Sequence, residues 1–260
     1  MKRSLAVLFA VVFIGAPLYC EDAPVKPAEE FQWRQEPVNG SFEPGESLKF
    51  SVAWKFVVVG YANMDVAGVV DMDGRKAFHI FTSAKSSSFF DTFYRVRDTN
   101  ESWIDTESLC SLKYASRNDE NNKKRYDTIL FDQVSHTYTL VESSKTGTIP
   151  SWVNDVLSAL YYVRTKELEV GKSISVDAHS GDLSWPLEVK VHRKEKVKVP
   201  AGEFECFVVE PLLRIGTGIF QAKGKLLIWL TADSKKVPVL MRSEIIVGSV
   251  EARLTEMRLK

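Results

Sequence analysis

One stretch of this chain, residues 151–166 (SWVNDVLSALYYVRTK), carries a helical period, and strand-like runs flank it on both sides. Val153, Val156, Leu157, Leu160 and Val163 recur at spacings of three and four, and Ser151 after Pro150 predicts the N-cap. A lone amphipathic helix must bury its apolar face, and the partner on offer is a sheet built from the strands before and after it. The expected fold is therefore mainly β. A large curved antiparallel sheet, an open barrel or sandwich, packs against one helix over about 151–166 and shares a core with it.

The strand pattern begins at Gly45. Leu48, Phe50, Val52, Trp54, Phe56 and Val58 alternate with Lys49, Ser51, Ala53 and Lys55, which predicts one long strand with a bend or bulge at Gly60. Tyr61–Val70 continues as a second strand, Asp73-Gly74 signals a hairpin turn, and Ala77–Thr82 returns. Further strands are expected near 101–104, 113–116, 126–131 and 137–141, with the polar run Asn118–Arg125 as a connecting loop. Beyond the helix, short strands and the Pro200-Ala201-Gly202 turn lead to the final runs 225–230, 237–241 and 245–254. Pro238 favours an edge, and the glycine-rich 215–219 reads as a loop.

Residues 1–20 place Lys2 and Arg3 before an apolar run too short to span a bilayer, which predicts a secretory signal peptide. Lipidation of Cys20 is the lesser alternative, because bulky Tyr19 precedes the cysteine. Residues 21–44 are rich in Pro and Glu and read as a leader or tether. Residues 45–260 then form a single β-rich domain, exported and periplasmic. Export permits disulfides, so Cys110 and Cys206 are candidates for a bridge worth about 4 kcal/mol in the chain-entropy account; a buried thiol is the plainer expectation for Cys206.

The 34 basic and 34 acidic residues balance, so no global field draws in nucleic acid. Locally, Lys190, His192, Lys194, Lys196 and Lys198 alternate with Val189, Val191, Val197 and Val199, which predicts a basic strand face interrupted by Glu188 and Glu195. That pattern is first of all a solvated face. Phe89, Phe90, Phe93 and Tyr94 cluster beside Arg95 and Arg97. They read first as core at a sheet corner and second as a ring-stacking ligand surface. The four histidines are dispersed, and no glycine-flanked nucleophile, phosphate loop or dinucleotide fingerprint occurs. No metal site, cofactor or catalytic residue is assigned.

Taken in order, GESLKFSVAWKFVVVGYANMDV, YRVRDTNESWIDTESL, VNDVLSALYYVRTKELEVGK, VKVPAGEFECFVV and IWLTADSKKVPVLMRSEIIVGSVEARL resemble the bacterial envelope family called domain of unknown function 3108. The resemblance covers the chain from about Gly45 onward. It implies an exported antiparallel β protein, with no reaction or catalytic residue to carry over. The expected function is non-catalytic: binding or scaffolding of an apolar or lipid-like ligand in the cell envelope, with Trp54, Phe56, Tyr61, Phe90, Phe93, Tyr94 and Trp229 as groove candidates. The alternatives are an envelope protein-interaction module using an edge strand or the basic face and, least favoured, a glycan- or peptide-acting hydrolase with paired carboxylates.

Overall fold

A computed structural model describes residues 31–37, 40–212, 225–245 and 248–260. The expected signal peptide with Cys20, part of the leader and the glycine-rich run 215–219 lie outside these residues. All features below belong to the compact unit Trp33–Lys260.

Period-two alternation produces strands almost throughout. The first set comprises β1 (Ser47–Trp54), β2 (Val57–Met72), β3 (Arg75–Ser86), β4 (Arg97–Asp105), β5 (Ser111–Glu120), β6 (Lys123–Asp132), β7 (Thr137–Leu140) and β8 (Lys145–Thr148). The short β9 (Asn154–Asp155) leads directly into helix α1 (Val156–Arg164). Then follow β10 (Ser173–Ser180), β11 (Leu183–Val199), β12 (Gly202–Pro211), β13 (Leu226–Thr231), β14 (Pro238–Ile245) and β15 (Gly248–Arg258). They form one 15-stranded sheet in the order β8-β7-β6-β5-β4-β3-β2-β1-β15-β14-β13-β12-β11-β10-β9. Two meanders thus meet along the β1–β15 pair, and the sheet stays open, with the short strands β8 and β9 at its edges. Every pairing is antiparallel except β9 with β10.

The helix lies between the two meanders in sequence and contributes to both core clusters in space. Leu157 and Tyr161 pack into one cluster with Phe42, Leu48, Phe50 and Ile80. Ala159 and Val163 pack into the other with Val176, Trp185, Leu187 and Val189. Its beginning departs from the sequence expectation. Trp152 takes a left-handed φ of 61° and Asn154–Asp155 pair with β10, so the chain is not helical until Val156. The cap is Asp155, not Ser151. Its Oδ1 accepts from Leu157 N at 2.8 Å and Ser158 N at 2.9 Å, while Oδ2 accepts from the hydroxyls of Ser102 at 2.6 Å and Ser111 at 2.7 Å. Burial pushes this carboxyl above the usual range, against the pull of those four bonds.

Two other expectations are corrected. The first strand ends at Trp54, because Lys55 adopts a left-handed φ of 56° and reverses the chain; Phe56 then sits at the tip of a hairpin. Gly60 stays within β2 and sits at the expected bulge, since Val52 pairs with Gly60 and Ala53 with Val58; a Cβ on Gly60 would fall 2.4 Å from the Lys85 carbonyl oxygen. Residues 118–125 are not a loop. β5 and β6 run through them and reverse at Asn121-Asn122, whose φ values of 47° and 64° suit a two-residue hairpin turn.

At the β4–β5 turn, Asp105 is fully buried. Burial pushes its carboxyl up, but the Arg75 guanidinium (2.8 Å) and the Ser108 amide (2.8 Å) and hydroxyl (2.7 Å) outweigh that and hold it below the usual carboxylate range. A depressed folded-state pKa contributes stability that is present above the unfolded-state value and lost as pH falls through the folded one. Urea midpoints between about pH 5 and pH 2 should therefore decline less steeply in Asp105→Asn than in the wild type. Parallel acid limbs in the two proteins would remove Asp105 from the explanation.

Candidate functional site

Between α1 and the concave face of the sheet lies a cavity of about 300 Å³. The helix contributes Val156, Ala159, Leu160 and Val163. The first meander contributes Phe50, Ala62, Met64 and Ala84, and the second contributes Leu187, Val189, Val209, Ile228, Met241 and Ala252. Strand positions two apart point to one face, which brings Ala62 with Met64, Thr82 with Ala84, and Leu187 with Val189 to this wall; the intervening Asn63 and Ser83 also line it. The polar residues lining it are Asn63, Thr82, Ser83, Asn100 and Ser243; among the described residues no Asp, Glu, His, Cys, Lys or Arg does so. The volume lies at the lower end of the range for small-molecule pockets, and the chemistry of the wall is that of an apolar binding site.

The seven aromatic groove candidates are not brought together here. Trp229 is buried on the face opposite its neighbour Ile228. Its Nε1 donates to Glu195 at 2.7 Å, and Arg242 lies 5.4 Å above the ring. Trp54 is half-buried and pairs with Val250 at the cavity wall, with Lys55 Nζ 5.4 Å from its ring. Phe56 is 97% exposed, and Tyr61 is also exposed, next to the inward Ala62. Phe90 begins a single 3-10 turn, Phe90–Thr92, between β3 and β4; Phe93, 70% exposed, packs edge-on against Phe89 at 5.7 Å. That cluster is therefore surface, not core. Tyr94 faces a separate polar groove, where its hydroxyl donates to Glu120.

The basic strand is not one face either. A register irregularity between Val191 and Arg193 places Lys190 opposite Glu210 but Lys194 opposite Phe207, two positions on opposite sides of β12. His192 pairs with Glu210, Lys194 lies 3.4 Å from Glu205, and Lys196 and Lys198 stand across from Glu205 and Glu203. Cys110 and Cys206 form no bridge, since each is a buried free thiol, one at the β4–β5 turn and the other on β12 in the opposite meander. Burial pushes both thiols up to about 12, which keeps them protonated and unreactive at neutral pH.

Sequence reasoning missed the cavity because it weighed ring size. Voids form where small side chains face one another, and the signal was the inward series Ala62, Ala84, Ala159 and Ala252.

An open antiparallel sheet that clasps a helix over an apolar interior defines a barrel-like β protein. The chain belongs to the family "Protein of unknown function (DUF3108)", whose model matches residues 49–255. None of the curated proteins matches it. Among solved structures it is similar to the β-barrel-like protein of domain of unknown function DUF1849 from Brucella abortus. That likeness has a TM-score of 0.54 at 7% identity, covering 84% of this chain and 99% of that one, and it shows the fold alone. A candidate exported protein with YmcC-like fold from Bacteroides fragilis (TM-score 0.37, 12% identity, 84% and 97% covered) is more remote. So is a candidate lipoprotein from Parabacteroides distasonis (0.39, 10%, 86% and 100%); neither bears on the argument. Among the described residues no helix is long and apolar enough to cross a membrane, and no cluster of metal-ligating side chains occurs.

Proposed function

We propose that the protein is a non-catalytic binding protein of the cell envelope that holds an apolar or lipid-like ligand in the cavity beside α1. The observation that carries this reading is the cavity wall itself: aliphatic and alanine side chains from both meanders and the helix, with no titratable group among its described residues. A wall of that kind has no acid or base to transfer a proton or to activate the hydroxyls of Thr82, Ser83 and Ser243, but it lowers the free energy of any apolar chain that leaves water for it. The signal-like residues 1–20 support export to the periplasm. The protein-interaction alternative draws less support, since the lysines of β11 face glutamates of β12 and the edge strands are short.

Titration with the apolar fluorophore N-phenyl-1-naphthylamine tests this. The wild type is expected to show a saturable, one-site fluorescence rise. Ala62→Phe, which fills the space with a ring, should weaken binding about tenfold or more while leaving the thermal midpoint unchanged or higher. A linear, non-saturating rise in the wild type, or unaltered binding in Ala62→Phe, defeats the proposal.

A further inference from the structure

Beside the apolar cavity runs a larger groove of about 940 Å³, walled by β5, β6, β7 and the turn between β10 and β11. Its lining mixes charged and polar side chains with apolar ones, and the two adjoin along one face of the sheet. Residues directly opposite in antiparallel strands project to the same face. One such row crosses five strands as Met64, Thr82, Asn100, Ser116 and Asp127. The first three line the apolar cavity and the last two line the groove. The next row on the same face runs Ile80, Ser102, Tyr114, Ile129 and Leu140, and its last three members line the groove. At the junction the Tyr114 hydroxyl donates to Asn100 Oδ1 at 2.9 Å, so a groove residue and a cavity residue hold each other in place. The interior therefore grades from hydrocarbon to hydrogen-bonding surface along one continuous wall.

The groove's charges specify what fits. Glu120, Asp127, Glu142 and Asp182 line it against Lys123 and Arg125. Arg125 is already held by Asp127 at 2.6 Å. The lining is net acidic, so a phosphate or carboxylate entering it meets like charge. Ser116 and Asn118 add a hydroxyl and an amide, each able to donate and accept, and the carboxylates accept from hydroxyls. Tyr94 offers a partly exposed ring beside them.

We infer that the ligand is an amphiphile whose acyl or alkyl part occupies the cavity and whose uncharged, hydroxyl-rich head, a sugar or polyol, lies in the groove. This rests on the apolar-ligand reading above and adds the class of head group. Such a ligand gains hydrogen bonds where an anionic one meets repulsion and a bare alkyl chain leaves the groove's polar groups to water.

The test is displacement of bound N-phenyl-1-naphthylamine by three probes with the same ten-carbon chain, each below its micelle-forming concentration: decyl β-D-maltoside, decyl phosphate and decyltrimethylammonium. The maltoside is expected to displace at a concentration at least about tenfold lower than either charged probe. Asp182→Lys alters an exposed turn residue that pairs with Lys145 and lies away from the cavity. With displacement referred to the variant's own fluorophore affinity, decyl phosphate should come to within about threefold of the maltoside. Equal displacement by all three probes overturns the head-group assignment and leaves the apolar-cavity reading standing. Strongest displacement by the trimethylammonium probe also overturns it, in favour of a cationic head. Failure of the wild type to bind the fluorophore at all removes both.

Discussion

Glu46→Ala should destabilise the protein by about 3–5 kcal/mol, read as a fall in the urea midpoint at constant slope. Glu46 and Arg164 have side chains 2% and 0% exposed and form a two-pronged pair, Nη1 to Oε1 and Nη2 to Oε2, each at 2.7 Å. The guanidinium donates further to the carbonyls of Ser41 at 3.0 Å and Lys235 at 3.2 Å, and lies over the rings of Phe42 and Tyr161. Alanine leaves that cation buried with only carbonyl dipoles and two ring faces, and the cost of a charge without its counter-ion in a dry site far exceeds the net worth of the pair. Removing both charges together, in Glu46→Leu with Arg164→Met, should recover most of the loss. If Glu46→Ala unfolds within about 1 kcal/mol of the wild type, water reaches this site and the pair is peripheral.

The second large effect is at Asp155. Asp155→Ala removes one carboxylate that serves two helix amides and two serine hydroxyls in a fully buried setting. The lost cap and the orphaned donors together should cost about 3–5 kcal/mol. Asp155→Asn keeps an oxygen for the amides and turns the other end into a donor that a rotated serine hydroxyl can accept, so less than half of that loss is expected. Matching urea midpoints for the two variants would show that the charge, not the set of acceptors, is what matters at this position.

Much of the architecture was legible in the residues, because an exposed-to-buried period of two or of three to four is written locally. The Asp73-Gly74 hairpin, the helix between two β halves and the open antiparallel sheet all follow from such local patterns. What was not legible depends on register. Ser151 and Asp155 are both good caps in isolation, and only the pairing of Asn154 and Asp155 with β10 decides between them. The one-residue irregularity in β11 turned an apparent basic face into two half-faces, each matched by glutamates. Glu46 and Arg164 lie 118 residues apart, and no spacing rule connects them. The cavity draws on the helix and on strands of both meanders, and the groove on β5, β6 and β7, so a search for large rings close together in sequence selected Phe56 and Phe93, which project into solvent.

The seam between β1 and β15 also sets the order in which this molecule can be completed. It joins strands far apart in sequence, beginning with Ser47 opposite Arg258, while every other pairing in the sheet links successive strands. Hairpins of either meander can close within microseconds, but the seam must wait for a loop that contains almost the whole domain. Until then β1, already paired with β2 on one side, presents an eight-residue unpaired edge on the other. An edge of that length invites pairing with a second chain. The interval before β15 arrives is therefore the period of greatest aggregation risk, and a chaperone that shields the β1 edge would act on the slow step of folding.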